Sequence, residues 1–346
     1  MSDSVRKEQP YSDAPPSPDE QVFAALARAE DVTSRLDERA RSSGFVAGWR
    51  ARAEVRAVTA AMSSAGQLVH PEDLILHDLH ADARVPDASV VQARGLLRAR
   101  QKAWRGGGEL LSWQGVSWLC GRTRVAPPPG GRPTARVGGA LEPSGCYDAL
   151  AAFFDLLAKG VSDSPRAGVE DCLSVLDAHD RSPPLLQAAA LMEAWRLVDP
   201  LPPHSAIGGV VAALVLKTTK RFTAGLFPLE VALRRRPMPP RLAWSTLADR
   251  LAFWLQTFEL AAALELDEIV RLGHQKALLE RKVAGGRRHG KAPALAALAV
   301  ESPVLTTELI VRALAITPQA SLQLVKRFDG ALHEITGRSR YRVWRL

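Results

Sequence analysis

The chain has 346 residues, 47% of them hydrophobic, which excludes an intrinsically disordered protein and fits two or three domains. Its three cysteines, Cys120, Cys146 and Cys172, stand far apart, which argues against a disulfide framework or a cysteine zinc site and fits a reducing compartment. The first residues lack the apolar stretch of a signal peptide, and no run approaches the roughly 18 apolar residues of a membrane span, so a cytoplasmic protein with no membrane partner is expected.

The net charge of +8 is concentrated. Residues 276–346 carry 13 Lys+Arg against 5 Asp+Glu, while the first 275 residues hold 32 of each sign. A local basic field favours a polyanion. Here the positive residues fall in expected loops and a hairpin, not on one helix face, which suits DNA better than an anionic membrane.

In chain order, residues 1–20 are rich in Pro, Ser and Asp and read as a disordered tail. Residues 21–105 form an N-terminal helical region, marked by Val22, Ala25, Leu26 and Ala29 at spacings of three and four. Residues 106–146 read as a Gly/Pro-rich linker. Within it Trp113 and Trp118 mark a segment of uncertain type docked by its indoles, where Gly115 counts against a helix. Residues 147–284 form a central helical domain. Pro183 and Pro184 open one helix to Val198, Gly208 and Gly209 precede another, and residues 242–283 read as a long helix pair. No βαβ alternation is present. Residues 284–292 are a flexible basic hinge that few contacts should cross. The expected fold class is mainly α: an all-α body in two parts, then a C-terminal winged helix-turn-helix over residues 285–346.

That last unit is read from its residues. Residues 293–300 form a first helix. Thr306 caps a second, over residues 307–314, and a tight turn at Ala315-Ile316 follows. Thr317 then caps a third helix with Pro318 at its first position. Ser321, Leu324, Val325 and Phe328 should face inward. Thr317, Gln319, Ala320, Gln323, Lys326 and Arg327 are the expected DNA-reading surface of a helix-turn-helix. Residues 332–335 and 341–346 are strand-like, and the intervening turn makes a basic wing in which Arg338, Arg340 and Arg342 would meet phosphates or the minor groove.

Ile316 to Pro318 together with residues 334–344 resemble the C-terminal winged helix of many bacterial Fic proteins. Residues 68–80 and 93–100 more specifically resemble a bacterial family of uncharacterised proteins that join an N-terminal domain of unknown function to a C-terminal helix-turn-helix domain. That resemblance implies fold and DNA binding, and no reaction. Fic enzymes carry a His-Pro-Phe-x-x-Gly-Asn-Gly-Arg type loop in which His is the base. The counterpart here, residues 194–216, keeps a helix–loop–helix shape and Gly208, but has Val198 at the base position, His204 out of register and no Asn-Gly-Arg. Ala65 stands where the family's inhibitory glutamate would be. A Fic-like body would therefore be degenerate, and no enzyme activity or cofactor is expected.

His70, Asp73, His77 and His80 have the spacing of a metal cluster on one helix face, set against a polar helix face with ordinary hydrogen bonds, which is the preferred reading. There is no P-loop and no GxSxG elbow. The expected function is sequence-specific binding of double-stranded DNA by a transcriptional regulator or a mobile-element DNA-maintenance factor. A Fic-like nucleotidyl-transferring enzyme with a DNA-binding tail and a protein-interaction adaptor are the alternatives. A homodimer and an effector are left open.

Overall fold

The computed structural model describes residues 17–79, 85–128, 146–160, 164–178, 180–284, 290–336 and 342–346. Fourteen α-helices lie among them. The body holds α1 (Pro18–Ser42), α2 (Val46–Ser64), α3 (Pro71–Asp78), α4 (Ala88–Arg105), α5 (Trp113–Leu119), α6 (Cys146–Lys159), α7 (Pro165–Ala178), α8 (Pro184–Val198), α9 (Ile207–Thr218), α10 (Glu230–Arg235) and α11 (Leu247–Ala284). The C-terminal unit holds α12 (Ala292–Glu301), α13 (Thr307–Leu314) and α14 (Pro318–Lys326). Strands β1 (Leu305–Thr306), β2 (His333–Glu334) and β3 (Val343–Arg345) form one antiparallel sheet in the order β1-β3-β2. No helix of the described residues is long and apolar enough to cross a membrane.

Helix α1 starts inside the expected tail. Ser17 and Glu20 form a reciprocal capping box, with Pro18 in the first turn. The disordered tail expected over residues 1–20 is therefore corrected for residues 17–20, which begin α1, and residues 1–16 lie outside the described residues. One face of α1, including Val22, Ala29 and Leu36, is buried where α1 lies along α11. Helices α8 and α9 are buried almost all round, as expected of central helices.

The body is not in two parts. One continuous apolar cluster runs from Val22 to Trp344. Buried polar side chains tie distant segments within it. Arg100 of α4, fully buried, pairs with Glu54 of α2 and with Glu230 of α10 at 3.2 Å. Glu265 of α11 accepts from Trp49 Nε1 at 2.9 Å and from Arg56 Nε at 3.1 Å. Asp37 of α1 accepts from the backbone N–H groups of Thr223 and Ala224 at 2.6 and 2.7 Å. Partners so far apart in sequence make the segments on either side of residues 106–146 one folding unit.

The expected linker is also part of that unit in its first half. Ser112 caps α5, and a Cβ on Gly115 would meet the Leu110 backbone at 2.4 Å. The glycine marks a close helix–backbone approach, and so the segment is helical despite it. Trp118 and Trp113 each lie under a cation, Lys102 at 4.5 Å and Arg122 at 6.0 Å. Residues 242–283 differ too: α11 is a single unbroken helix of 38 residues.

Candidate nucleic-acid interface

Local sequence sets the geometry of the C-terminal unit. Thr306 ends β1 and caps α13, its hydroxyl accepting from Leu309 N at 3.0 Å. The turn to the next helix passes through Ala315 in the left-handed region, φ 51°. Thr317 caps α14 by accepting from Ala320 N at 3.2 Å, with Pro318 in the first turn. Ser321, Leu324 and Val325 are buried, as is Phe328 just beyond the helix. Thr317, Gln319, Gln323, Lys326 and Arg327 are exposed and Ala320 is half-buried. Gln319, Gln323 and Lys326 thus form one outward stripe of amides and positive charge.

Behind α14 the sheet pairs Thr306 with Val343 and Glu334 with Trp344. Arg342 is half-buried beside Glu334, at 3.6 Å. Arg338 and Arg340 lie outside the described residues.

The expectation that few contacts cross the hinge fails. Arg52 of α2 donates to the carbonyl oxygens of Val300 at 2.7 Å, Ala299 at 2.8 Å and Ser302 at 2.7 Å, closing the C-terminus of α12. A cation placed there satisfies the last carbonyls and opposes the helix dipole. Burial foremost, then repulsion by Arg56 and Arg271, pulls the Arg52 guanidinium down to about 10. Lys282 at the end of α11 donates to the Asp329 carbonyl at 2.8 Å, and Arg345 of β3 pairs with Glu72 of α3. Leu76 of α3 is buried with Val304 and Val343.

That contact gives the 68–80 segment a role sequence reasoning missed: α3 braces the sheet. His70 precedes α3 and is exposed, Asp73 and His77 are half-buried on it, and His80 lies outside the described residues. Among the described residues no three His, Cys, Asp or Glu side chains are grouped to hold a metal ion.

The segment that the sequence sets against the Fic loop runs from Val198, the end of α8, to Ile207, with His204 exposed between. A Cβ on Gly208 would meet the Trp195 ring at 2.7 Å, and one on Gly209 would meet Glu230 Oε1 at 2.6 Å. Both glycines serve helix packing. Cys120 and Cys172 are free thiols, pushed up to about 11 and about 12 by burial.

An all-α body bearing a docked winged helix-turn-helix is the class this geometry defines. Residues 292–346 match the family model described as an HTH DNA binding domain, and residues 167–284 match one described as a protein of unknown function. The chain thus pairs a domain of unknown function with a C-terminal helix-turn-helix DNA-binding domain, as its resemblance implied. It is similar to an uncharacterized protein, y4cF, of Sinorhizobium fredii, 27% identical over 90% of this chain and 93% of the relative. A crystal structure of a Fic family protein from Desulfovibrio desulfuricans has a similar fold, with a TM-score of 0.50 and 14% identity over 98% of both chains.

Proposed function

We propose that the protein is a cytoplasmic regulator that binds specific double-stranded DNA sequences through α14, acting in transcription or in the maintenance of a mobile element. The observation that carries this reading is the exposed stripe of Gln319, Gln323 and Lys326 on the capped third helix of a helix-turn-helix domain. Glutamine amides can pair with adenine edges in the major groove, and the lysine can meet phosphate. The +8 balance of residues 276–346 supplies the long-range attraction.

The body serves as a catalytically silent scaffold in this reading. Val198 where the resemblance would put the Fic base, and Gly208 and Gly209 packed against Trp195 and Glu230, support it. The experiment is selection of genomic fragments on the full-length protein, followed by salt-titrated mobility shifts. Enrichment of a common sequence with a steep salt dependence is expected. Equal, weak affinity for every fragment would refute the sequence-specific reading, and transfer of label from ATP to a protein would refute the silent body.

A further inference from the structure

A cleft of about 1100 Å³ lies between the body and the winged helix. Val55, Leu97 and Trp104 form apolar wall on the body side, and Val304, Val311 and Leu322 face it from the C-terminal unit. Its volume lies just above the roughly 300–1,000 Å³ of ordinary small-molecule sites.

The charges around it do not balance. Its carboxylates are all neutralised: Glu54 by Arg100, Asp78 by Arg94 at 3.3 Å, and Glu308 by Arg312 at 2.5 Å. Arg342 has Glu334. Arg50 and Arg105 are left over, with no carboxylate partner among the described residues. Arg50 is held over the Trp104 ring at 4.5 Å, which fixes its guanidinium beside the apolar wall.

We infer that this cleft binds a small amphipathic organic acid, its carboxylate held by Arg50 and Arg105 and its apolar part against the Val55–Leu97–Val311 walls. Guanidinium groups present paired donors matched to a carboxylate. Two uncompensated cations beside apolar surface select an anion over its neutral isostere. The cleft also reaches Pro318 and Leu322 of α14. An occupant therefore touches both the body and the DNA-reading helix, and any difference in its affinity for the free and DNA-bound arrangements shifts DNA binding. That second step rests on the DNA-binding reading above.

The test uses full-length protein and 1-naphthoate, with 1-naphthamide as its uncharged counterpart, by titration calorimetry. Naphthoate should bind at least about tenfold more tightly than the amide. The Arg50→Gln, Arg105→Gln double variant should lose that preference while still binding the amide. Val311→Trp, which fills the cleft from the other wall, should weaken both compounds. Saturating naphthoate should change the apparent Kd for a DNA fragment at least about threefold. Equal binding of acid and amide by the wild type, or a preference that survives in a folded double variant, overturns the site. Failure to bind naphthoate with DNA binding intact sinks the cleft alone. Naphthoate binding without any DNA affinity sinks only the reading of the C-terminal unit.

Discussion

Gly48 of α2 approaches the carbonyl of Val300 so closely that a Cβ on it would fall 1.9 Å from that oxygen. Arg52, four residues on, donates to the same carbonyl at 2.7 Å. Backbone meets backbone here, and a guanidinium closes the seam.

Gly48→Ala must therefore push α2 and α12 apart, at a cost of about 1–3 kcal/mol. Arg52→Ala leaves three carbonyls without their donor and should cost about 1–3 kcal/mol. Either change should lower the melting temperature and speed tryptic cleavage in the basic 285–291 segment. Unchanged melting and cleavage in both variants would contradict the contact. Although pulled down to about 10, Arg52 stays a cation at neutral pH, so the melting-temperature deficit of Arg52→Ala should be the same at about pH 6 and about pH 8.

Arg100→Met leaves Glu54 and Glu230 buried without their cation, and such a break costs about 3–5 kcal/mol. Burial already lifts the Glu230 carboxyl above its usual range, outweighing the pull of Arg100. Removing Arg100 should lift it further. A carboxyl raised in the folded state contributes stability that is full below its unfolded value and is lost as pH rises through the folded one. In denaturant melts the variant's deficit should thus be smaller near about pH 5 than near about pH 8. An equal deficit at both would refute the assignment.

On α14, Gln319→Ala and Gln323→Ala should each cost about 1–3 kcal/mol at particular base positions and relax specificity there. Lys326→Ala should instead weaken binding on all sequences and reduce the slope of log K against log[salt] by about 0.9. Mobility shifts across a panel of mutated sites and salt concentrations separate the two patterns. A uniform loss from the glutamine variants would place them on phosphates.

With their thiols pushed up to about 11 and about 12, Cys120 and Cys172 are at most about one-thousandth thiolate at about pH 8. Native protein treated briefly with iodoacetamide should carry no label at either position by mass spectrometry. Rapid labelling would contradict the burial of Cys172 and the raised thiol of half-buried Cys120.

What was legible in the sequence was local. Thr317-Pro318 announces the start of α14, and the helical period sorts Ser321, Leu324 and Val325 from Gln319 and Gln323, because capping and facing are decided within a few residues. What was missed is long-range. Arg52 and Arg100 carry no local mark of their roles, since the partners that define those roles lie from 46 to 250 residues away. Gly48 did leave a trace: glycine inside a helix costs about 1 kcal/mol against alanine, and a close contact is one reason to keep it. Strand β1 is two residues long and carries no period to detect. The cleft has no sequence signature, for its two walls come from opposite ends of the chain.

The socket that Gly48 and Arg52 offer to α12 also bears on how such a protein can be rebuilt. Winged helices joined by free linkers can be exchanged as cassettes, because only the linker must match. Here a transplanted unit would have to bring a helix whose last turn accepts the Arg52 fork and tolerates bare backbone against it. Chimeras cut within residues 285–291 therefore inherit a mismatched seam, whereas a graft confined to the outward positions of α14 leaves it untouched. In this architecture, new sequence preferences are reached more readily by altering a few side chains on one helix than by shuffling domains.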